Sequence, residues 1–203
     1  KKMLSYKESL KILKETKALL EGHFVLSSGL HSKEYVQCAK LLSRPKMAQL
    51  ICLSLCKKIK KTFSTIDIIL SPALGGVVVG YEVGRQLNKE TIFCERVNGK
   101  LILRRGFEIK KNAKVLIVED VITTGKSALE CAKIIRKFKA RLVGYACIID
   151  RSNDKSIIKK KIISQVKINI QTYSKNKLPE DLKKIKIINP GSRNLNKWKK
   201  NLE

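Results

Sequence analysis

The chain has 203 residues, 43% of them apolar, which suffices for one domain of ordinary size with or without a small lobe and excludes two large ones. No apolar run approaches the roughly 20 residues of a membrane-spanning helix, so the sequence reads as a soluble protein with no membrane partner. A net charge of +27 raises the question of a nucleic-acid partner, but 35 of the 44 basic residues are lysines scattered along the chain, isoleucine outnumbers alanine 24 to 9 as A/T-rich codons would dictate, and aromatics reach only 5%, so no specific nucleic acid is expected.

The N-terminal stretch shows no apolar block ahead of a small-residue cleavage site, and no secretory leader is expected there. The first element is predicted to be an amphipathic helix. Ser5 and Glu8 stand at capping-box spacing, Leu10, Leu13 and Leu20 recur at helical intervals, and Gly22 is expected to stop it. Short strands are expected around residues 24–26 and 35–37. Pro45 then opens a helix with Met47, Leu50, Ile51 and Leu55 on one face. Strand candidates rich in β-branched residues follow at 66–70, 91–97, 114–118 and 142–149, with helical patterns at 77–87 and 127–138. Apolar strands alternating with helices predict an α/β fold whose central, mostly parallel sheet is flanked by helices. After Arg151 the alternation stops, and the Lys/Ile-rich remainder is expected to be peripheral. The six cysteines form no Cys-x-x-Cys pair and only two histidines accompany them, so reduced core thiols in a cytosolic protein are expected rather than zinc.

In an open parallel sheet, ligands bind beyond the carboxyl ends of the strands. The polar loops fall there, at residues 71–76, 98–106, 119–127 and 150–152. Thr123-Thr124-Gly125-Lys126-Ser127 leads from a strand into a helix, where free amides and the positive end of the helix dipole suit a phosphate. A nucleotide P-loop would need glycine five residues before Gly125, and Asp120 stands there instead. The adjacent acids Glu119 and Asp120 suit the hydroxyls of a vicinal diol and a hydrated Mg²⁺. Acids beside a phosphate loop point to a sugar phosphate.

Residues 115–127 resemble the 5-phosphoribosyl-1-diphosphate (PRPP) signature of the type I phosphoribosyltransferases. Gly22-His23-Phe24-Val25-Leu26-Ser27-Ser28-Gly29-Leu30-His31-Ser32, with Tyr35-Val36-Gln37, is similar to the N-terminal motif of the orotate phosphoribosyltransferase family. The turn at Pro72-Ala73-Leu74-Gly75-Gly76, Glu95-Arg96, Leu103-Arg104-Arg105-Gly106-Phe107, Asp150-Arg151-Ser152 and Pro190-Gly191-Ser192-Arg193 agree with it. The resemblance implies one phosphoribosyltransferase domain over residues 1–203, with a hood at about 1–42, a PRPP-binding core at about 43–151 and a peripheral segment at about 152–203. The hood would be formed by the N-terminal segment, with or without part of the C-terminal one. It further implies a cytoplasmic homodimer with shared active sites, a pentosyltransferase that carries the phosphoribosyl group of PRPP to orotate in UMP synthesis with Mg²⁺ as cofactor.

The resemblance also implies roles for residues. Thr123, Thr124, Gly125, Lys126 and Ser127, preceded by Val121 and Ile122, would hold the 5-phosphate, and Glu119 and Asp120 the ribose hydroxyls. Ala73, Leu74 and Gly75 would wrap the diphosphate with Arg96 and Lys100, the latter reaching the neighbouring subunit's site. Thr123 and Arg151 would bind orotate, with Phe24, Ser27 and Ser28 contributed by the hood. Lys100, Glu119 and Asp120 are thus the expected catalytic residues, and Mg²⁺ is expected to be held through PRPP and water rather than by side chains. Ser27, Leu30, Gly75 and Ile102 stand where some relatives carry Lys, Arg, Lys and His, which leaves open the cations facing the diphosphate; Arg104 and Arg105 are candidates. Two other readings are compatible with the sequence: transfer to a different base, against which the N-terminal motif and Arg151 speak, and a PRPP-sensing nucleic-acid-binding regulator. His23 and His31 are expected to be structural, Gly80 and Gly84 to permit close helix packing, and Trp198 to anchor the tail.

Overall fold

The computed structural model describes residues 2–26, 28–153 and 156–190; Ser27, Gly191, Ser192, Arg193 and Trp198 lie outside the described residues. The chain forms two compact units. One comprises residues up to Ala18 with Gln37–Asn169, the other Leu19–Val36 with the described residues from Ile170 onward.

The first unit contains α1 (Tyr6–Glu15), α2 (Cys38–Leu42), α3 (Pro45–Thr62), β3 (Ile68–Pro72), α4 (Gly75–Leu87), β4 (Glu90–Val97), β5 (Lys100–Leu103), β6 (Lys114–Ile122), α5 (Lys126–Lys137), β7 (Arg141–Asp150) and β8 (Ile162–Lys167). The second contains β1 (Leu19–Val25), β2 (His31–Val36), β9 (Thr172–Tyr173), a 3-10 turn at Lys175–Lys177, α6 (Glu180–Lys183) and β10 (Ile187–Ile188).

The first unit is built on a six-stranded sheet ordered β5-β4-β3-β6-β7-β8, parallel throughout except for the antiparallel β4–β5 hairpin. Its middle strands are continuous apolar runs because both faces are covered: Val115, Leu116, Ile117 and Val118 of β6 are fully buried, as are Ala146, Cys147, Ile148 and Ile149 of β7. α5 lays Ala128, Cys131, Ala132, Ile134 and Ile135 into the same core cluster as Ile92, Cys94, Val115 and Ile117. Burying each Ile or Leu there contributes about 1.5–3 kcal/mol. α4 comes close to the sheet because it presents glycine: a Cβ at Gly80 would overlap the Ser71 hydroxyl, and one at Gly84 the hydroxyl of Thr91. All six cysteines are free and buried.

Four expectations need correction. First, α1 keeps its capping box, but it ends at Glu15, and Leu20 and Gly22 lie in β1. Lys17, at φ 58°, makes the left-handed stop usually left to glycine, with its N–H donating to the Lys14 carbonyl and that of Ala18 to Leu13. Second, α1 belongs to the first unit, tied there by Gln165 Nε2 donating to Ser9 Oγ at 2.7 Å and the Leu4 N–H to Ser54 Oγ at 2.9 Å, so the N-terminal contribution to the small unit is residues 19–36 rather than 1–42. Third, the segment after residue 152 is not peripheral throughout. Ile162–Lys167 is the edge strand β8, held by Lys58 Nζ donating to the carbonyls of Ser164 and Gln165 at 3.0 and 2.8 Å, while the residues from 170 join the small unit. Fourth, β6 runs on through Ile122, so Glu119 and Asp120 are strand residues and not part of the loop that follows.

The second unit is a four-stranded sheet ordered β10-β1-β2-β9. His23 and His31 are buried in it at 1% and 5% exposure, with His23 Nε2 2.6 Å from His31 Nδ1 and His23 Nδ1 3.2 Å from the Ile185 carbonyl. A carbonyl only accepts, so His23 donates from Nδ1 and receives the His31 N–H at Nε2. Both rings are spent on holding β1, β2 and the chain ahead of β10 together, as a structural role requires.

Candidate active site

The carboxyl ends of β3, β4, β6 and β7 open onto one edge of the first unit. At β3 the chain turns sharply: the Ala73 N–H donates to the Cys94 carbonyl at 2.8 Å, the peptide between Ala73 and Leu74 is cis, and α4 starts at Gly75. A Cβ at Gly75 would lie 2.5 Å from Asp120 Oδ2. The turn therefore sits directly against that carboxylate, and only glycine leaves the space between them.

Neighbouring residues of a strand face opposite sides of a sheet, so Glu119 and Asp120 straddle the end of β6 instead of pairing on one face. Asp120 looks toward α4. Burial pushes its carboxyl up from the ordinary value, opposed by hydrogen bonds from the Val121 N–H and its own. Glu119 looks toward α5, is 9% exposed, and its Oε1 has no hydrogen-bond partner among the described residues. Loss of water, and then the charge of Asp120, lifts its pKa from 4.5 to about 8.

This shift has a measurable consequence. Between about pH 4.5 and 8 the folded chain holds a proton on Glu119 that the unfolded chain has released, so its contribution to stability is full at low pH and is lost as pH rises through about 8. Glu119→Gln is expected to flatten the fall in stability across that window and to exceed the parent in stability at its upper end, as measured by denaturant unfolding at a series of pH values. An unchanged pH slope would refute the buried, protonated state.

Beyond β6, Thr123 and Thr124 are exposed and Gly125 adopts φ 82°. A Cβ there would come within 2.6 Å of Ile158 Cγ1. Glycine is thus required both by the backbone and by the space. The Leu129 N–H is the first in α5 to bond back, to the Gly125 carbonyl at 2.9 Å, so the amides of Lys126, Ser127 and Ala128 have no intrahelical acceptor. Lys126 N–H reaches Thr124 Oγ1 only at 3.4 Å. Free amides at a helix start, directly after a left-handed glycine, are able to meet an anion. At β7, the Arg151 N–H donates to the Ile122 carbonyl at 2.8 Å, which places Arg151 beside this loop, and Asp150 Oδ1 accepts the Ser152 N–H at 2.8 Å.

Residues 98–106, expected as a loop, are mostly the β4–β5 hairpin. Its tip is Asn98-Gly99 at φ 48° and 79°, a strong hairpin signal in the sequence. Lys100 is exposed next to that tip. Arg96 Nη1 lies 3.0 Å from Glu130 Oε2, an ion pair without hydrogen-bond alignment, and donates to the Gly99 carbonyl at 2.5 Å. Of the acids that hold the hairpin's arginines, Glu95 was noted in the sequence only as part of the Glu95-Arg96 resemblance, with no role, and Glu130 was not singled out; no local pattern marks these contacts, because each partner lies on another element or beyond a turn.

Phe24 and Ser28 belong to the second unit. Phe24 is 2% exposed with its ring centroid 5.6 Å from that of Tyr35, and Ser28 Oγ accepts the Leu30 N–H at 3.4 Å. Among the described residues no cluster of three or more His, Cys, Asp or Glu is placed to hold a metal ion, and no helix is long and apolar enough to cross a membrane.

Residues 39–183 match the family described as phosphoribosyl transferase domain. An orotate phosphoribosyltransferase of Caldicellulosiruptor saccharolyticus is 46% identical over 184 residues, which is 91% of this chain and 95% of that one. Among solved structures, orotate phosphoribosyltransferase from Aeropyrum pernix matches with a TM-score of 0.66 at 23% identity, over 78% of this chain and 92% of that one. Adenine phosphoribosyltransferase from Saccharomyces cerevisiae matches with a TM-score of 0.62 at 17% identity, over 77% and 99%. At those identities the two structures speak to the fold alone.

Proposed function

We infer the reaction from membership: this chain belongs to the phosphoribosyltransferase family, among its orotate phosphoribosyltransferases, and it transfers the 5-phosphoribosyl group of PRPP to orotate, giving orotidine 5′-phosphate and diphosphate. The observation that carries the site is the left-handed Gly125 opening α5 immediately after two acids at the end of β6.

Breaking the bond between the anomeric carbon and the diphosphate leaves positive character on the ribose ring and negative charge on the leaving group. The protein's task is to position the partners and stabilise both charges. The α5 amides and the hydroxyls of Thr123, Thr124 and Ser127 hold the 5-phosphate. Asp120 accepts hydrogen bonds from the ribose hydroxyls and its charge favours the cationic ring, while Glu119, which keeps its proton up to about pH 8, offers its unpartnered Oε1 as an acceptor to a ribose hydroxyl. The turn at Ala73, Leu74 and Gly75 wraps the diphosphate by its backbone, and Arg96 and Lys100 neutralise it from the hairpin. Thr123 and Arg151 bind orotate, the planar guanidinium matching a planar acidic base. Mg²⁺ would fit this donor set: the carboxylate of Asp120 would supply negative field and the unpartnered Oε1 of Glu119 an oxygen, too few to hold the ion alone, so PRPP and water would have to provide the remaining ligands. When bound it adds charge neutralisation to the departing diphosphate.

A cytoplasmic homodimer belongs to this reading. Leu74, Val78 and Tyr81 are 86%, 51% and 66% exposed at helical spacing along α4, an apolar stripe suited to a second copy, and Lys100 stands on an exposed hairpin able to reach that copy's site. Six buried free thiols suit a reducing compartment. The test is a mixing experiment with PRPP, orotate and Mg²⁺. Lys100→Ala is expected to lower kcat with little effect on melting temperature, and mixed dimers of Lys100→Ala with Asp120→Asn are expected to regain activity that neither homodimer has. Absence of any recovery in verified mixed dimers would show that each subunit completes its own site, and turnover with a purine but never orotate would reject the base assignment.

A further inference from the structure

Two guanidinium groups share a single carboxylate at the base of the β4–β5 hairpin, and they share it unequally. Arg105 donates from both Nε and Nη2 to Oε1 of Glu95, the former at 2.7 Å. Its guanidinium also lies 5.8 Å over the centroid of the Phe93 ring, which is packed edge-on against Phe107 at 5.3 Å. Arg104 reaches the other oxygen, Oε2, only at 3.6 Å, beyond hydrogen-bond length, and is 55% exposed while Glu95 is 18% exposed. One carboxylate neutralises one guanidinium. The surplus positive charge resides on Arg104.

The backbone supports the same division. Arg105 has φ 61° and Gly106 φ 71°, and the Phe107 N–H donates to the Arg104 carbonyl at 3.1 Å, a tight turn of the type that favours Asn or Gly in its first central place. The contacts of Arg105 with Glu95 and Phe93 offset the cost of placing a long side chain there. Arg104 lies just ahead of that turn, next to Leu103. Leu103 pairs with Cys94, whose carbonyl accepts the Ala73 N–H; because β5 runs antiparallel to β4, the backbone at Arg104 has turned back one residue from that level, and it is the Arg104 side chain, reaching Glu95 one residue past Cys94, that returns to the level of the turn assigned to the diphosphate.

We propose that Arg104 is a further diphosphate-binding cation of this reaction, resting on Glu95 until substrate arrives, and that Arg105 is a positioning residue whose firm hold on Glu95 leaves Arg104 free to leave it. This rests on the reading of the Ala73–Leu74 turn and Arg96 as the diphosphate site. A diphosphate offers several charged oxygens in bidentate geometry and competes easily with a half-neutralised carboxylate.

The experiment compares inorganic diphosphate inhibition, the KM of PRPP and of orotate, and thermal unfolding across variants of the full chain. Arg104→Gln is expected to raise the diphosphate inhibition constant and the PRPP KM about ten- to a hundredfold, as loss of one charge-assisted contact does, with the orotate KM and the melting temperature held. Arg104→Lys should recover part of this. Arg105→Gln should also raise the PRPP KM, because Glu95 then captures Arg104, and adding Glu95→Gln should reverse that rise, which no purely structural role for Arg105 predicts. Unchanged diphosphate inhibition in Arg104→Gln, alongside weakened inhibition in Arg96→Gln, overturns the inference alone. Unchanged inhibition in both overturns the diphosphate reading on which it stands.

Discussion

Asp120→Asn is expected to lower kcat about a hundredfold or more while the melting temperature stays level or rises slightly, since removing one preorganised transition-state contact typically costs two to three orders of magnitude. The two effects separate because the carboxylate is badly placed for folding and well placed for chemistry. Burial raises its pKa, so the folded protein bears a cost for its charge that an amide of the same shape avoids. Asn keeps an oxygen for the Val121 N–H, and Gly75 still leaves room for it. What Asn lacks is the negative charge facing the ribose and the capacity to accept on both atoms. Steady-state kinetics beside thermal unfolding checks this. A large fall in melting temperature that tracks the activity loss would make Asp120 a structural residue.

Gly125→Ala is expected to cost stability and PRPP affinity together. A left-handed alanine costs roughly 1–2 kcal/mol, and forcing a methyl against a packed side chain costs about 1–3 kcal/mol more. The obstacle has a name: Ile158, 8% exposed, whose Cγ1 and Cδ1 would lie 2.6 and 2.7 Å from the new Cβ. Relief of that overlap shifts the start of α5, and with it the amides that hold the phosphate. Calorimetric PRPP affinity in Mg²⁺ should fall at least about tenfold, the worth of one charge-assisted hydrogen bond. Ile158→Ala opens the space, so the double variant should be less destabilised than the sum of its two singles. Strict additivity would mean that Gly125 and Ile158 do not meet.

The parallel sheet and its two flanking crossover helices were legible because β6, β7, α4 and α5 carry dense apolar runs or helical periodicity that local sequence displays directly. The turn proposed to hold the phosphate was legible for the same reason: hydroxyls, glycine and helix start are contiguous. Three features were harder. The end of α1 was missed because Lys17, not glycine, takes the left-handed stop. β8 was missed because an edge strand with lysines at its margins has the composition of an exposed tail, and only its pairing with β7 makes it part of the sheet. The β4–β5 hairpin lay inside a stretch read as a polar loop, although Asn98-Gly99 marked its turn. The match to an adenine phosphoribosyltransferase structure adds that this fold serves more than one base, so the choice of orotate lies in side chains and not in the scaffold.

The chain by itself determined the alternation of β3, β4, β6 and β7 with α4 and α5, the hydroxyl- and glycine-bearing turn at residues 123–127 and the presence of two acids before it, since each depends on residues adjacent in sequence. Tertiary structure alone decided that Glu119 and Asp120 lie on opposite faces with their water removed, that Gly75 makes room for Asp120, and that Glu130 and Glu95 hold the hairpin's arginines. Desolvation and ion pairing depend on which groups approach through space. Most of those partners come from separate elements, or across a turn, so no local pattern encodes them.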